Sequence, residues 1–125
     1  MQARFSFGTA GPNAAALSAA HIADSIARTR GVTFRSGLLN GIAFKAYNRR
    51  IDHPNSVFAW LSRDEELVSL YQSDEKCNFI FTASAFRDLF ILCARANSNA
   101  TFRRTPNDLP LFFLAGDRDP VGRYG

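Results

Sequence analysis

Leu109-Pro110-Leu111-Phe112-Phe113-Leu114-Ala115-Gly116-Asp117-Arg118-Asp119-Pro120-Val121-Gly122-Arg123-Tyr124 is the stretch whose reading decides the fold. Residues 111–115 are continuously apolar, with Pro110 before them and Gly116 after them, and they show no polar alternation. Such a run reads as a strand covered on both faces, the kind found in parallel sheets. Asp119 follows just past its carboxyl end. In open α/β sheets ligands gather at that edge, so a carboxylate there is a candidate for chemistry. Asp, Gly and Pro are also the commonest turn residues, and an acid after a strand can serve only to shape the turn.

At the other end, residues 3–7 are β-prone, and Gly8-Thr9-Ala10-Gly11-Pro12-Asn13 reads as a glycine-rich turn, so a strand feeds a helix there. That helix is expected over residues 14–30, with Leu17, Ile22 and Ile26 as its apolar positions, Asn13 as N-cap and Gly31 as its end. His21 is solitary on it and reads as a surface or packing residue. Leu38, Leu39, Ile42, Ala43, Ala46 and Tyr47 recur at helical spacing, with Lys45 and Arg49 opposite. A loop follows through Asp52-His53-Pro54-Asn55. Ser62-Arg63-Asp64-Glu65 has the form of a capping box and predicts a helix over residues 63–72. Its acids, Asp64, Glu65 and Glu66, are accounted for by the positive end of the helix dipole. Thr82 or Ser84 opens a further helix carrying Phe86, Leu89, Phe90 and Cys93 on one stripe, and Asn97-Ser98-Asn99 ends it. Residues 101–108 read as a loop.

The order is therefore strand, helices, strand, with more helix than one right-handed crossover requires. The surplus reads as a subdomain inserted between two sheet strands, placed to cover an active site. Residues 1–13 are then a strand and turn, residues 14–100 a helical cap, and residues 101–125 a loop, a strand and an acid-bearing turn. The fold class is α/β.

A chain of 125 residues, 46% of them hydrophobic, is one domain's worth of polypeptide and not a disordered tail. Twelve Phe beside one Trp and one Met imply a large core or a wide apolar pocket, and composition leaves both open. The net charge of +4 is carried almost wholly by arginine, without a basic block or a nucleic-acid motif, and reads as a solvated basic face. Cys77 and Cys93 stand apart with no metal-ligand spacing, so neither a metal nor a disulfide framework is expected, and free thiols fit a reducing cytoplasm. No stretch has the length of a membrane span, and the N-terminus has no signal-type apolar region.

Several segments taken in order, Gly8-Thr9-Ala10-Gly11, Arg35-Ser36-Gly37-Leu38-Leu39-Asn40, Phe44-Lys45-Ala46-Tyr47-Asn48, Trp60-Leu61-Ser62-Arg63-Asp64, Phe81-Thr82-Ala83, Arg87-Asp88-Leu89-Phe90 and the stretch from Leu109 to Gly122, resemble bacterial α/β-hydrolases of the lysophospholipase or monoacylglycerol-lipase-like (serine aminopeptidase-like) group. The resemblance covers nearly the whole chain. It implies a partial α/β-hydrolase fold, two parallel strands flanking a helical cap, and it implies that Asp119 matches the acid of a Ser, Asp, His triad. Asp117 is the competing acid. No G-x-S-x-G elbow occurs in the sequence, and neither His21 nor His53 lies where the family has its base. Phe44, Tyr47, Phe58, Trp60, Phe81 and Phe86 are expected substrate-binding residues, since apolar ligand sites are usually lined by aromatics.

The expectation is thus the cap and acid segment of a truncated cytoplasmic serine hydrolase that cleaves lipid-like carboxylic esters, needs no cofactor, and is inactive alone. A small-molecule ester is its expected partner, with no nucleic acid, and the chain is expected to self-associate through its sheet edges. A non-catalytic binding or oligomerisation module derived from such an enzyme is the alternative, and a weak anion or nucleic-acid binder driven by the Arg-rich cap is a third.

Overall fold

The computed structural model describes Arg4–Phe7, residues 14–121 and Tyr124. Strand β1, Arg4–Phe7, pairs in parallel with β2, Leu111–Leu114, in the register Arg4 to Leu111 through Phe7 to Leu114. Two parallel neighbours need a long crossover between them, and every helix among the described residues lies in that crossover. The expectation that β2 is covered on both faces does not hold: Leu111, Phe112, Phe113 and Leu114 are all exposed, Phe113 at 63%. The helices bury their apolar faces against one another, and the β2 side chains gain no such cover.

Helix α1, Ala16–Arg30, packs on α4, Ala83–Ala96. The buried stripe of α1 is alanine, Ala16, Ala19, Ala20, Ala23 and Ala27, while Leu17 and Ile22 face outward, contrary to the expected stripe. Small side chains let the two helix axes approach closely, and that closeness excludes the larger residues from the seam. Ala15 occupies the N-cap position without a side-chain hydrogen bond, and the expected cap Asn13 lies outside the described residues. At the far end Gly31 stands at φ 98, a conformation that residues with a Cβ rarely adopt, and its N–H bonds the Ala27 carbonyl.

The chain after α1 is stitched to the start of α4. Ala83 N–H donates to the Phe34 carbonyl at 2.8 Å, and the Ser84 hydroxyl donates to the Val32 carbonyl at 2.9 Å. Of the two expected openers of α4, Thr82 is the cap and accepts the Ala85 N–H, while Ser84 lies within the first turn. Helix α2, Gly37–Phe44, begins at Ser36, whose buried hydroxyl accepts the Leu39 N–H at 3.3 Å. It stops before Ala46 and Tyr47, and a 3₁₀ turn over Tyr47–Arg50 replaces its expected last turn. In that turn Asn48 commits its side chain to the backbone of the loop that follows.

Helix α3, Glu65–Ser73, starts later than the capping-box reading placed it. Asp64 is its N-cap and accepts the Glu66 and Leu67 amides, while Ser62 accepts the Asp64 amide and so orients the cap itself. Aspartate is as good a cap as serine, and Asp64 stands nearer the apolar run. A short helix α5, Asn99–Phe102, occupies the beginning of the expected loop, started by the Ser98 hydroxyl on the Thr101 amide. The core proper is Ala23, Ala27, Leu39, Ala83 and Phe86, with Ile26, Phe44, Phe81 and Phe90 packed around it.

Candidate functional site

Gly116 ends β2, and the chain folds back at once into a turn centred on Asp119. The Asp119 N–H donates to the Gly116 carbonyl at 3.0 Å, and the Asp119 carbonyl accepts the Tyr124 N–H at 3.0 Å. The carboxylate takes part too: Asp119 Oδ1 accepts the Val121 N–H at 2.8 Å. One carboxylate oxygen is thereby fixed by a backbone donor. The turn itself is the structure that the Asp-Pro pair favours, since proline confines the residue before it to extended backbone.

This turn forms one side of a cavity of about 810 Å³. The other side comes from the 3₁₀ turn after α2 and the loop running to α3, and it includes Tyr47, Arg50, His53 and Trp60. Tyr47 and Trp60 meet edge to face with ring centroids 4.8 Å apart, and Phe44 lies behind both, nearly parallel to Trp60 at 6.4 Å. Edge-to-face contact directs the positive rim of one ring at the negative face of the other, which holds the pair in one arrangement. Asn48 then fixes Trp60 from its backbone, accepting its N–H at 3.0 Å while donating to the Ser56 carbonyl at 2.8 Å.

The cavity is not purely apolar. Arg50, Arg63, Arg118, Asp52, Glu65 and Asp117 all reach its lining. Burial of Tyr47 pushes its phenol above the ordinary value of 10.0, and the negative charges of Cys93 and Asp119 push it further. Asp119 therefore lies within electrostatic reach of the aromatic wall, across the cavity from which its carboxylate acts on the Tyr47 phenol.

Of the expected site residues, Asp119, Tyr47 and Trp60 share this cavity. Phe44, Phe58, Phe81 and Phe86 do not line it. Phe86 is fully buried and stacks near Phe90, Phe81 packs against Phe79 and Phe86, and Phe58 pairs with Tyr71 at 5.2 Å. The rival acid Asp117 also lines the cavity, but its side chain is 81% exposed and its ionic partner Arg63 stands 3.7 Å away. Asp119 is half-buried and held by the backbone. His21 is exposed on α1, and His53 lines the cavity at φ 50, a left-handed conformation seen in few residues other than glycine.

Sequence reading did not find Arg50 and Tyr124. The Arg50 guanidinium lies 3.8 Å from the centre of the Tyr124 ring. Nothing in the spacing of two residues so far apart in the chain signals such a contact. Among the described residues no cluster of three or more His, Cys, Asp or Glu could hold a metal ion, and no helix is long and apolar enough to cross a membrane. A family model described as serine aminopeptidase, S33, matches residues 6–125. No curated protein and no solved structure matches the chain.

Proposed function

The chain belongs to the serine aminopeptidase S33 family, within the α/β-hydrolase fold, and on that premise we propose that it is the cap and acid-bearing part of a serine hydrolase acting on lipid-like carboxylic esters. The observation that carries this reading is the half-buried Asp119 carboxylate, fixed by the Val121 amide at a strand end and facing a cavity with an aromatic wall. A serine hydroxyl becomes a nucleophile when an imidazole takes its proton, and a fixed carboxylate on the other ring nitrogen holds the tautomer and stabilises the imidazolium. Asp119 is that carboxylate. With Oδ1 committed to the Val121 amide, Oδ2 is the oxygen we assign to the imidazole N–H.

We place the serine outside residues 1–125, because these contain no G-x-S-x-G elbow, and the histidine with it, because neither His21 nor His53 lies where the family has its base. Helices α1 to α5 form the cap. Tyr47 and Trp60 receive the acyl part of the substrate, and the charged rim formed by Arg50, Arg63 and Glu65 receives the alcohol part. The purified 125-residue chain is expected to show no turnover of p-nitrophenyl acyl esters and no labelling by a fluorophosphonate probe, and co-expression with segments carrying the elbow and the histidine is expected to restore both. Turnover by the chain alone, lost in an Asp119→Asn control, would refute the proposed division of the triad.

A second reading, a non-catalytic association module, is favoured by strand β2, whose neighbouring Phe113 and Leu114 are exposed on opposite faces. Light scattering decides it. Self-association abolished by Phe113→Lys, together with failure of the co-expression experiment to yield esterase activity, would establish this reading over the first.

A further inference from the structure

We infer that Arg50 is a positioning residue for Asp119, acting through Tyr124; the catalytic significance of this contact rests on the reading of Asp119 as the orienting acid. The path is short and every link is a direct contact. The Arg50 guanidinium lies 3.8 Å from the Tyr124 ring centre, the Tyr124 N–H donates to the Asp119 carbonyl at 3.0 Å, and the Val121 N–H between them donates to Asp119 Oδ1 at 2.8 Å. Arg50 belongs to the 3₁₀ turn Tyr47–Arg50, so the contact ties the helical side of the cavity to the acid turn.

The backbone gives the independent reason for assigning this role. Tyr124 stands at φ 70, in the left-handed region that a bulky residue avoids. Such a conformation persists only where surrounding contacts over-determine it. Among the described residues two contacts bear on Tyr124: its N–H on the Asp119 carbonyl, which closes the turn, and the packing of its half-buried ring under the Arg50 guanidinium, which holds the side chain where the φ 70 backbone carries it. A guanidinium suits the second task better than an ammonium, because its planar face lies flat on a ring and is weakly hydrated. Release of the ring removes one of the two restraints. The segment after Asp119 is then anchored by the backbone hydrogen bond alone, the turn loosens, and the Val121 N–H that fixes the Asp119 carboxylate loosens with it.

Amide hydrogen exchange on the 125-residue chain tests this without substrate. Arg50→Lys and Tyr124→Leu are each expected to speed exchange at the Val121 and Tyr124 amides by about tenfold. Tyr124→Phe keeps the ring and is expected to exchange as the wild type does. The double variant Arg50→Lys with Tyr124→Leu is expected to exceed neither single variant, since both break one contact. Amides within α1 and α4 serve as the control, and they should be unchanged. The inference is overturned if Arg50→Lys leaves Val121 and Tyr124 exchange as in the wild type, if the two single effects add, or if α1 and α4 lose protection in step, which would mark a general loss of stability. No turnover enters this measurement, so its failure strikes the contact and leaves the assignment of Asp119 to the kinetic comparison with Asp117.

Discussion

The Asn48 side chain accepts the backbone N–H of Trp60 at 3.0 Å, across twelve positions of chain, and so closes the loop that walls the cavity. Its amide nitrogen donates to the Ser56 carbonyl at 2.8 Å, while the Ser56 hydroxyl bonds Gln72 on α3. Asn48 thus uses both ends of its amide, which aspartate cannot do, because a carboxylate offers no donor to the Ser56 carbonyl. Asn48→Asp is expected to cost about 1–3 kcal/mol of stability, the usual penalty for a polar group deprived of its partner. Trp60 is the chain's one tryptophan, so its emission reports on this wall alone, and the variant should shift it to the red. Unchanged emission and unchanged urea midpoint would show that the loop is held by other means.

Asp119 and Asp117 leave the same strand end and differ in their surroundings. In the hydrolase completed with its serine and histidine, Asp119→Asn is expected to lower kcat by roughly 10⁴-fold with little effect on KM, as an orienting acid does when its loss permits the wrong imidazole tautomer. Asp117→Asn should fall within a few-fold of wild type, since it removes only an exposed ion pair with Arg63 at 3.7 Å. Steady-state kinetics of the two variants decide the assignment, and the reverse order would give the acid role to Asp117.

The strand ends and the capped helices were legible in the sequence because local chemistry sets them. Leu111 to Leu114 announces a strand by its apolar run, Thr82 announces α4 by its hydroxyl, and Gly31 announces the end of α1 by its freedom at positive φ. What was not legible depends on which partner a face meets. Leu17 and Ile22 look like core residues until α4 comes close enough that only alanine fits between the helices. Phe44, Phe58, Phe81 and Phe86 look like pocket residues for the same reason, as an aromatic stripe does not say whether it meets a ligand or another ring. Of the residues that line the cavity, Asp119 stands out in the sequence by its place after a strand, and Tyr47 and Trp60 by their aromatic character. Arg50 and Tyr124 were invisible, because a stacking contact between distant residues has no local signature.

Phe86 provides the sharpest test of the core. It is fully buried and its ring lies within 6.3 Å of Phe44, 5.5 Å of Phe81 and 5.9 Å of Phe90. Phe86→Ala is expected to destabilise the chain by about 3–5 kcal/mol, from lost transfer energy and the cavity left behind. A loss of that size is a large part of a small domain's total stability. Phe86→Leu should cost less, since most of the volume is kept. Urea unfolding followed by far-ultraviolet circular dichroism measures both. If Phe86→Ala cost less than 1 kcal/mol, the ring would not be part of a close-packed core.

Tyr47 links the aromatic wall to the acid turn, and its titration can be read directly. Burial is the first cause that raises its phenol above 10.0, followed by the charges of Cys93 and Asp119. Below that value folded and unfolded chains both keep the proton, and the contribution of the neutral buried phenol to stability is complete. As pH rises from 10.0 through the raised folded value, the unfolded chain ionises first, so this stability is progressively lost. Tyr47→Phe is expected to remove that part of the alkaline destabilisation, seen as a flatter dependence of the urea midpoint on pH. Phenolate absorbance follows the group itself, with Tyr71 and Tyr124 as the other two contributors. In Asp119→Asn the Tyr47 midpoint should move down, because a negative neighbour has been removed, yet stay above the ordinary value, because burial is the larger cause. An unmoved Tyr47 midpoint in Asp119→Asn would mean that the carboxylate does not act on the aromatic wall, and with it would go the picture of one cavity shared by the acid and the rings.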